Sequence, residues 1–162
     1  MDVPDNVANK IIPKLAKQNP YNPFLEYLQS VRVKHGNIGF NLLNNIAATY
    51  MGTSEPLYQI YVKLTLIAAV ARAMNPGCKL DTALILNGEQ GYKKSSFFEK
   101  LLPNPDWFDD SMSDDIGNKD ELLKVHRACI MEWAELETIF NRRGHAKIKA
   151  FLATKVDRIR VF

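Results

Sequence analysis

One short stretch constrains this chain more than its length does. Leu84-Ile85-Leu86-Asn87-Gly88-Glu89-Gln90-Gly91-Tyr92-Lys93-Lys94-Ser95-Ser96-Phe97 runs from an apolar segment, through two glycines, into an amphipathic helical pattern. Set against the phosphate-loop spacing GxxxxGK[ST], it departs at one position, where Lys93 replaces the second fixed glycine. In such a loop, backbone N–H groups converge on phosphate oxygens, a lysine reaches the β and γ phosphates, and a hydroxyl ligates Mg2+. The last two roles fall on Lys94 and Ser95. Gly88, Glu89, Gln90, Gly91, Tyr92, Lys93 and Ser96 form the surrounding loop and helix start. The charge of Lys93 suits phosphate, and the residue is tolerated where its backbone stays in an ordinary region. A site that demands the left-handed region favours glycine.

Phosphate-loop ATPases also need a carboxylate at the end of a neighbouring strand, to hold Mg2+ through water and polarise the attacking water. Ala128-Cys129-Ile130-Met131 is an apolar run that leads into Glu132-Trp133-Ala134-Glu135. Glu132 lies 38 residues after Lys94, where such a strand would end, and Glu135 follows within a turn. The same two residues also suit the first turn of a helix, where the dipole favours carboxylates.

The rest of the chain supplies the setting. Its 162 residues, 46% hydrophobic and 24% charged, are enough for one domain with a real core. The first ~80 residues read as helices: a short one within 1–23, then Phe24–Val31, Phe40–Tyr50 and Leu57–Met74. From residue 82 the pattern changes. Strand candidates at Thr82–Leu86 and Arg127–Met131 alternate with helical stretches at Ser95–Leu102, Lys119–His126, Leu136–Asn141 and Ala146–Ala153, with Gly144 between the last two. The expectation is an α/β fold with two regions: a helical segment, 1–81, and a parallel-stranded segment, 82–162. The closing residues, Asp157–Phe162, have a strand-like alternation.

Other chemistries find little footing. His35, His126 and His145 have no metal-ligand spacing, and the acidic stretch Asp109, Asp110, Asp114, Asp115 lacks the Ca2+-loop pattern. No nucleophile-elbow or Cys/His arrangement is present. Trp107, Phe108 and Trp133 fit core packing better than base stacking. Cys78 and Cys129 have no CxxC partner, no basic-then-apolar leader opens the chain, and the longest apolar run, Leu64–Ala71, is short. These features lead to the expectation of a cytoplasmic protein with no membrane partner. The net charge of +3 permits nucleic acid as a partner without arguing for it.

With the phosphate loop and the acidic strand end in place, the chain resembles the virulence-associated protein E family of phage and plasmid replication ATPases. These are related to superfamily-3 helicases and to poxvirus-type primase-helicases. The matching stretches are Asn22–Leu28, Ala69–Asp81, Gly88–Ser95, Asp106–Ser111, Gly117–Asp120, Met131–Leu136 and Lys147–Arg160. The resemblance implies a P-loop NTPase core of the AAA+/superfamily-3 kind that binds ATP and Mg2+. It implies catalytic work by Glu132 and Glu135, and metal holding by Ser95 and Glu132. It further implies a homo-oligomeric ring on DNA, with Lys149, Arg158 and Arg160 as the basic positions that meet DNA or act across a subunit boundary. The family continues beyond this point with further strands, so the expectation is a truncated core. Two alternatives stay open: a degenerate, non-catalytic interaction module of a mobile element, favoured by Lys93, and a small-molecule kinase, disfavoured for want of an evident lid.

Overall fold

The computed structural model describes residues 4–36, 38–113, 115–134 and 142–154, and the chain divides into two compact units, Met1–Gly36 and Asn37–Phe162. The first unit holds two helices. Helix α1, Asp5–Gln18, is longer than its four-proline surroundings suggest and carries Pro13 inside it. Helix α2, Pro23–His35, starts where Asn22 caps it: the Asn22 side-chain oxygen accepts the Leu25 N–H at 3.0 Å, and Pro23 occupies the first helical position. Arg32, Lys34 and His35 close it, matching the negative end of the helix dipole.

The second unit begins with a helical cluster. The expected single helix at 40–50 is two short ones, α3 (Asn41–Asn44) and α4 (Ile46–Met51), because the Asn45 backbone departs from helical angles. The start of α4 is satisfied from outside: the Ala47 N–H donates to the Gln59 side-chain oxygen at 2.9 Å. Gly52 ends α4 in the left-handed conformation that glycine takes without steric penalty. Helix α5, Pro56–Met74, is the longest, and Lys63 ties it to α3 through the Asn44 side chain at 2.6 Å. Ile46, Ala47 and Val62 form the core here, with Met51, Leu66, Leu84 and Phe97 packed against them. By length and composition α5 reaches what a bilayer crossing needs, although Thr65 interrupts its longest apolar run and Arg72 ends it. Its packing on α3 and α4 accounts for part of that apolar surface.

After α5 come α6 (Lys94–Lys100), a 3-10 turn (Pro105–Trp107), β1 (Phe108–Asp109), α7 (Lys119–Arg127), β2 (Ile130–Met131) and α8 (Arg142–Ala153). Among the described residues the fold is mostly helical with one two-stranded parallel sheet, in which Phe108 pairs with Ile130 and Asp109 with Met131. The sheet is smaller than the sequence pattern predicts. Strand β2 falls inside the expected 127–131 stretch. Strand β1 has no counterpart among the expected strands, because two residues carry no alternation. Thr82–Leu86 forms no ladder among the described residues: Ile85 is 57% exposed, and Leu84 is spent on the helical core instead. The strand expected there is therefore corrected to an irregular segment.

Helix α7 is capped by Asn118, whose side chain accepts the Asp120 N–H at 2.9 Å, with Asp120 and Glu121 at its start and Lys124, His126 and Arg127 at its end. Met112 and Ile116 in the segment before it, and Glu121 within it, are buried. Gly144 lies within α8 and does not break it, a second correction, since one glycine costs a helix only about 1 kcal/mol. Leu136–Asn141 and Asp157–Phe162 lie outside the described residues.

Candidate functional site

Gly88–Lys93 folds as a loop that leads into α6. Gly88 to Lys93 are exposed, and Gly91 takes a positive φ of 92°. Lys94 and Ser96 are half-buried, and Ser95 is exposed at the first turn of the helix. The Lys94 ammonium turns back on the loop and donates to the Gly88 carbonyl at 2.6 Å and the Glu89 carbonyl at 2.8 Å. The loop therefore closes on its own lysine, and the ammonium sits over the space that the loop encloses. A Cβ on Gly88 would meet nothing nearer than that ammonium at 3.9 Å.

Lys93 has the left-handed backbone of a glycine, with φ 55° and ψ 32°. It is the non-glycine residue that the described chain holds at positive φ. The condition under which Lys93 is tolerated, an ordinary backbone, is not met: the lysine sits in the left-handed region that favours glycine and bears the strain.

The acidic strand end is positioned by the small sheet. The Cys129 N–H donates to the Trp107 carbonyl at 2.7 Å, and the Glu132 N–H donates to the Asp109 carbonyl at 2.8 Å. These bonds flank the β1–β2 pair and fix Glu132 immediately past β2. From there its carboxylate accepts a hydrogen bond from the Ser95 hydroxyl at 2.7 Å, across 37 residues of sequence. Two residues singled out separately, one from the loop and one from the strand end, are thus in direct contact. Glu135, Arg158 and Arg160 lie outside the described residues. Lys149 is exposed on α8.

Asp109 is the residue that sequence reasoning missed. It ends β1, and its carbonyl anchors Glu132. Its carboxylate accepts the Ser111 hydroxyl at 2.6 Å and the Ser111 N–H at 2.8 Å. The Ser111 hydroxyl above all holds that carboxyl below the usual range, helped by the same residue's N–H and by the charges of Lys124 and Arg127. Behind it, the Lys124 ammonium donates to the Ser111 carbonyl at 2.7 Å and to the Glu121 carboxylate at 2.9 Å. Glu121 also accepts the Ser113 N–H, and its carboxyl is held low first by Lys124 and then by Ser113. Burial pushes the Cys129 thiol up, away from thiolate chemistry. Trp133 donates from its indole N–H to the Ser113 carbonyl and meets the Phe151 ring edge-on at 5.8 Å, which places it in structural packing.

The Ser95 hydroxyl and the Glu132 carboxylate are oxygen donors of the kind that a hard cation such as Mg2+ takes. Mg2+ takes oxygen ligands, usually one or two from protein, with water and phosphate filling the rest. The Ser95 and Glu132 oxygens stand 2.7 Å apart. No cluster of three or more His, Cys, Asp or Glu side chains suited to a metal occurs among the described residues, so a metal held by protein alone finds no cage there.

No curated protein and no solved structure matches the chain. The virulence-associated protein E-like domain does match, over residues 28–162, so the chain belongs to that family and is associated with phages, plasmids and other mobile elements.

Proposed function

We propose that this chain is the ATP-binding portion of a phage- or plasmid-type replication ATPase, with a P-loop NTPase core, that couples ATP-Mg2+ hydrolysis to work on DNA. The observation that carries the reading is the Ser95–Glu132 hydrogen bond, supported by Lys94 folded over its own loop. Hydroxyl and carboxylate come from opposite ends of the motif set, and such contact is what a shared cation requires.

The residues divide the work. Lys94 exchanges two carbonyl partners for phosphate oxygens, which are stronger acceptors because they are charged. Backbone N–H groups of the Gly88–Lys93 loop add directed donors. Ser95 and Glu132 hold Mg2+, which when bound offsets phosphate charge and orients the chain of oxygens. Glu132, and Glu135 by family resemblance, orient water. By family resemblance, Lys149, Arg158 and Arg160 are the basic positions that meet DNA in a ring of copies. A second reading, a non-catalytic interaction module, is favoured by one observation: Lys93 occupies a left-handed position at a strain that a working loop avoids with glycine.

Calorimetric titration of ATP-Mg2+ separates them. The account expects binding by the intact chain and its loss, by roughly 100-fold or more, in Lys94→Ala, since a charged hydrogen bond is worth ~1.5–3 kcal/mol and the lysine makes more than one. No binding by either protein supports the interaction module and overturns the ATPase reading.

A further inference from the structure

Gly52, Gly77 and Gly91 stand at positive φ, and so does Lys93, two residues past Gly91 in the same loop. Among the described residues it is the one that holds such a backbone with a side chain. Strain of this kind collects at binding sites, where the surroundings hold it in place. Glycine would relieve it, so folding alone does not call for lysine here.

What glycine would lose is the charge. The loop and the strand end carry two carboxylates, Glu89 and Glu132, and two ammonium groups, Lys93 and Lys94. Without Lys93, an anion would approach one cation set among two carboxylates. The two lysines also differ in what already engages them. Lys94 is spent on the Gly88 and Glu89 carbonyls at 2.6 and 2.8 Å, and gives these up on taking phosphate. Lys93 is exposed and makes no hydrogen bond or ion pair among the described residues, so a contact with phosphate exchanges only its water. Its backbone lies one peptide, about 3.8 Å, from that of Lys94, and its long flexible stem gives the ammonium reach over the same ligand. The contact asks nothing of the dipole of α6, which has only seven residues.

We propose that the Lys93 ammonium is a second cationic ligand to the phosphates of the bound nucleotide, beside Lys94, and that the loop gives up stability for it. This assignment rests on the nucleotide-binding reading of the loop.

Calorimetric titration of ATP-Mg2+ into the intact chain and into Lys93→Gly, Lys93→Met and Lys93→Arg tests it, with thermal unfolding of all four. Lys93→Gly and Lys93→Met should each raise Kd roughly 10-fold, the loss of one charged hydrogen bond. Lys93→Arg keeps the charge and should stay within about 3-fold of the parent. The gap between the parent and Lys93→Met should narrow as salt rises, since an exposed charge is screened. Lys93→Gly should bind more weakly while it melts higher, a pairing that a purely structural role for the side chain does not give. ATP-Mg2+ bound by Lys93→Met as tightly as by the parent overturns the proposal and leaves the nucleotide reading standing. So does a loss in Lys93→Arg as large as that in Lys93→Met. No binding by the parent overturns both.

Discussion

Replacing Lys93 by glycine is expected to stabilise the protein, although it removes a side chain and adds nothing. Lys93 holds φ 55° and ψ 32°, where an L-residue pays roughly 1–2 kcal/mol. Glycine removes that penalty but loses about 0.5–1 kcal/mol through the greater freedom of its unfolded chain. The difference is a gain of about 0.5–1 kcal/mol. For a chain of this size that corresponds to roughly 1–4 °C in Tm. Two companions sharpen the test. Lys93→Ala keeps the strain and removes the charge, so its stability should stay within about 0.5 kcal/mol of the parent. Gly91→Ala does the reverse in the same loop: φ is 92° and nothing lies within 4 Å of the new Cβ, so the whole loss, about 1 kcal/mol, is conformational. The measurement is thermal unfolding of the four proteins under one buffer. A Lys93→Gly protein that melts lower than the parent, or that shifts in the same direction as Gly91→Ala, refutes the strain argument.

Two further substitutions probe the fold around the site. Val62→Ala removes two carbons at a position only 2% exposed, and should lower stability by about 2 kcal/mol in urea unfolding, with the midpoint shifted and the slope unchanged. Glu121 is expected to give the protein a pH dependence. Lys124 and Ser113 depress its carboxyl, so its contribution is present above the unfolded carboxylate range near pH ~4.3 and fades as pH falls through the lower folded value. Glu121→Gln should therefore be about 1–2 kcal/mol less stable at pH 7 and lose less on acidification. Parallel acid profiles for the two proteins would contradict this assignment.

What the sequence revealed follows from how long each signal is. Helix α5 was legible because nineteen residues carry its apolar pattern and Pro56 and Asn75-Pro76-Gly77 punctuate its ends. The phosphate-loop spacing is equally local, so Lys94 and Ser95 could be named before any fold was known. Glu132 needed only a short apolar run followed by acid. Strand β1 was invisible, since Phe108 and Asp109 are strand only by virtue of Ile130 and Met131, twenty-two residues away in register. Asp109 was missed for the same reason: what it does for Glu132 is done by its carbonyl, and a carbonyl carries no sequence signature. Thr82–Leu86 failed in the opposite direction. Its composition favours a strand, but Leu84 is drawn into contact with the α4–α5 core, and tertiary packing overrides β-propensity. The backbone of Lys93 was equally beyond composition, because lysine gives no hint of a left-handed site.

The central claim is the proposal that Ser95 and Glu132, joined here by a hydrogen bond, would hold a cation delivered with a nucleotide. Electron paramagnetic resonance of Mn2+, which substitutes for Mg2+, measures this at the two residues. The account predicts little Mn2+ bound without ATP, since two protein oxygens are too few to hold it. It predicts Mn2+ bound at one site when ATP is present, and a loss of similar size in Ser95→Ala, in Glu132→Gln and in the double variant, the non-additivity expected of two groups in contact. Mn2+ binding that ignores ATP, or that survives both substitutions, contradicts it.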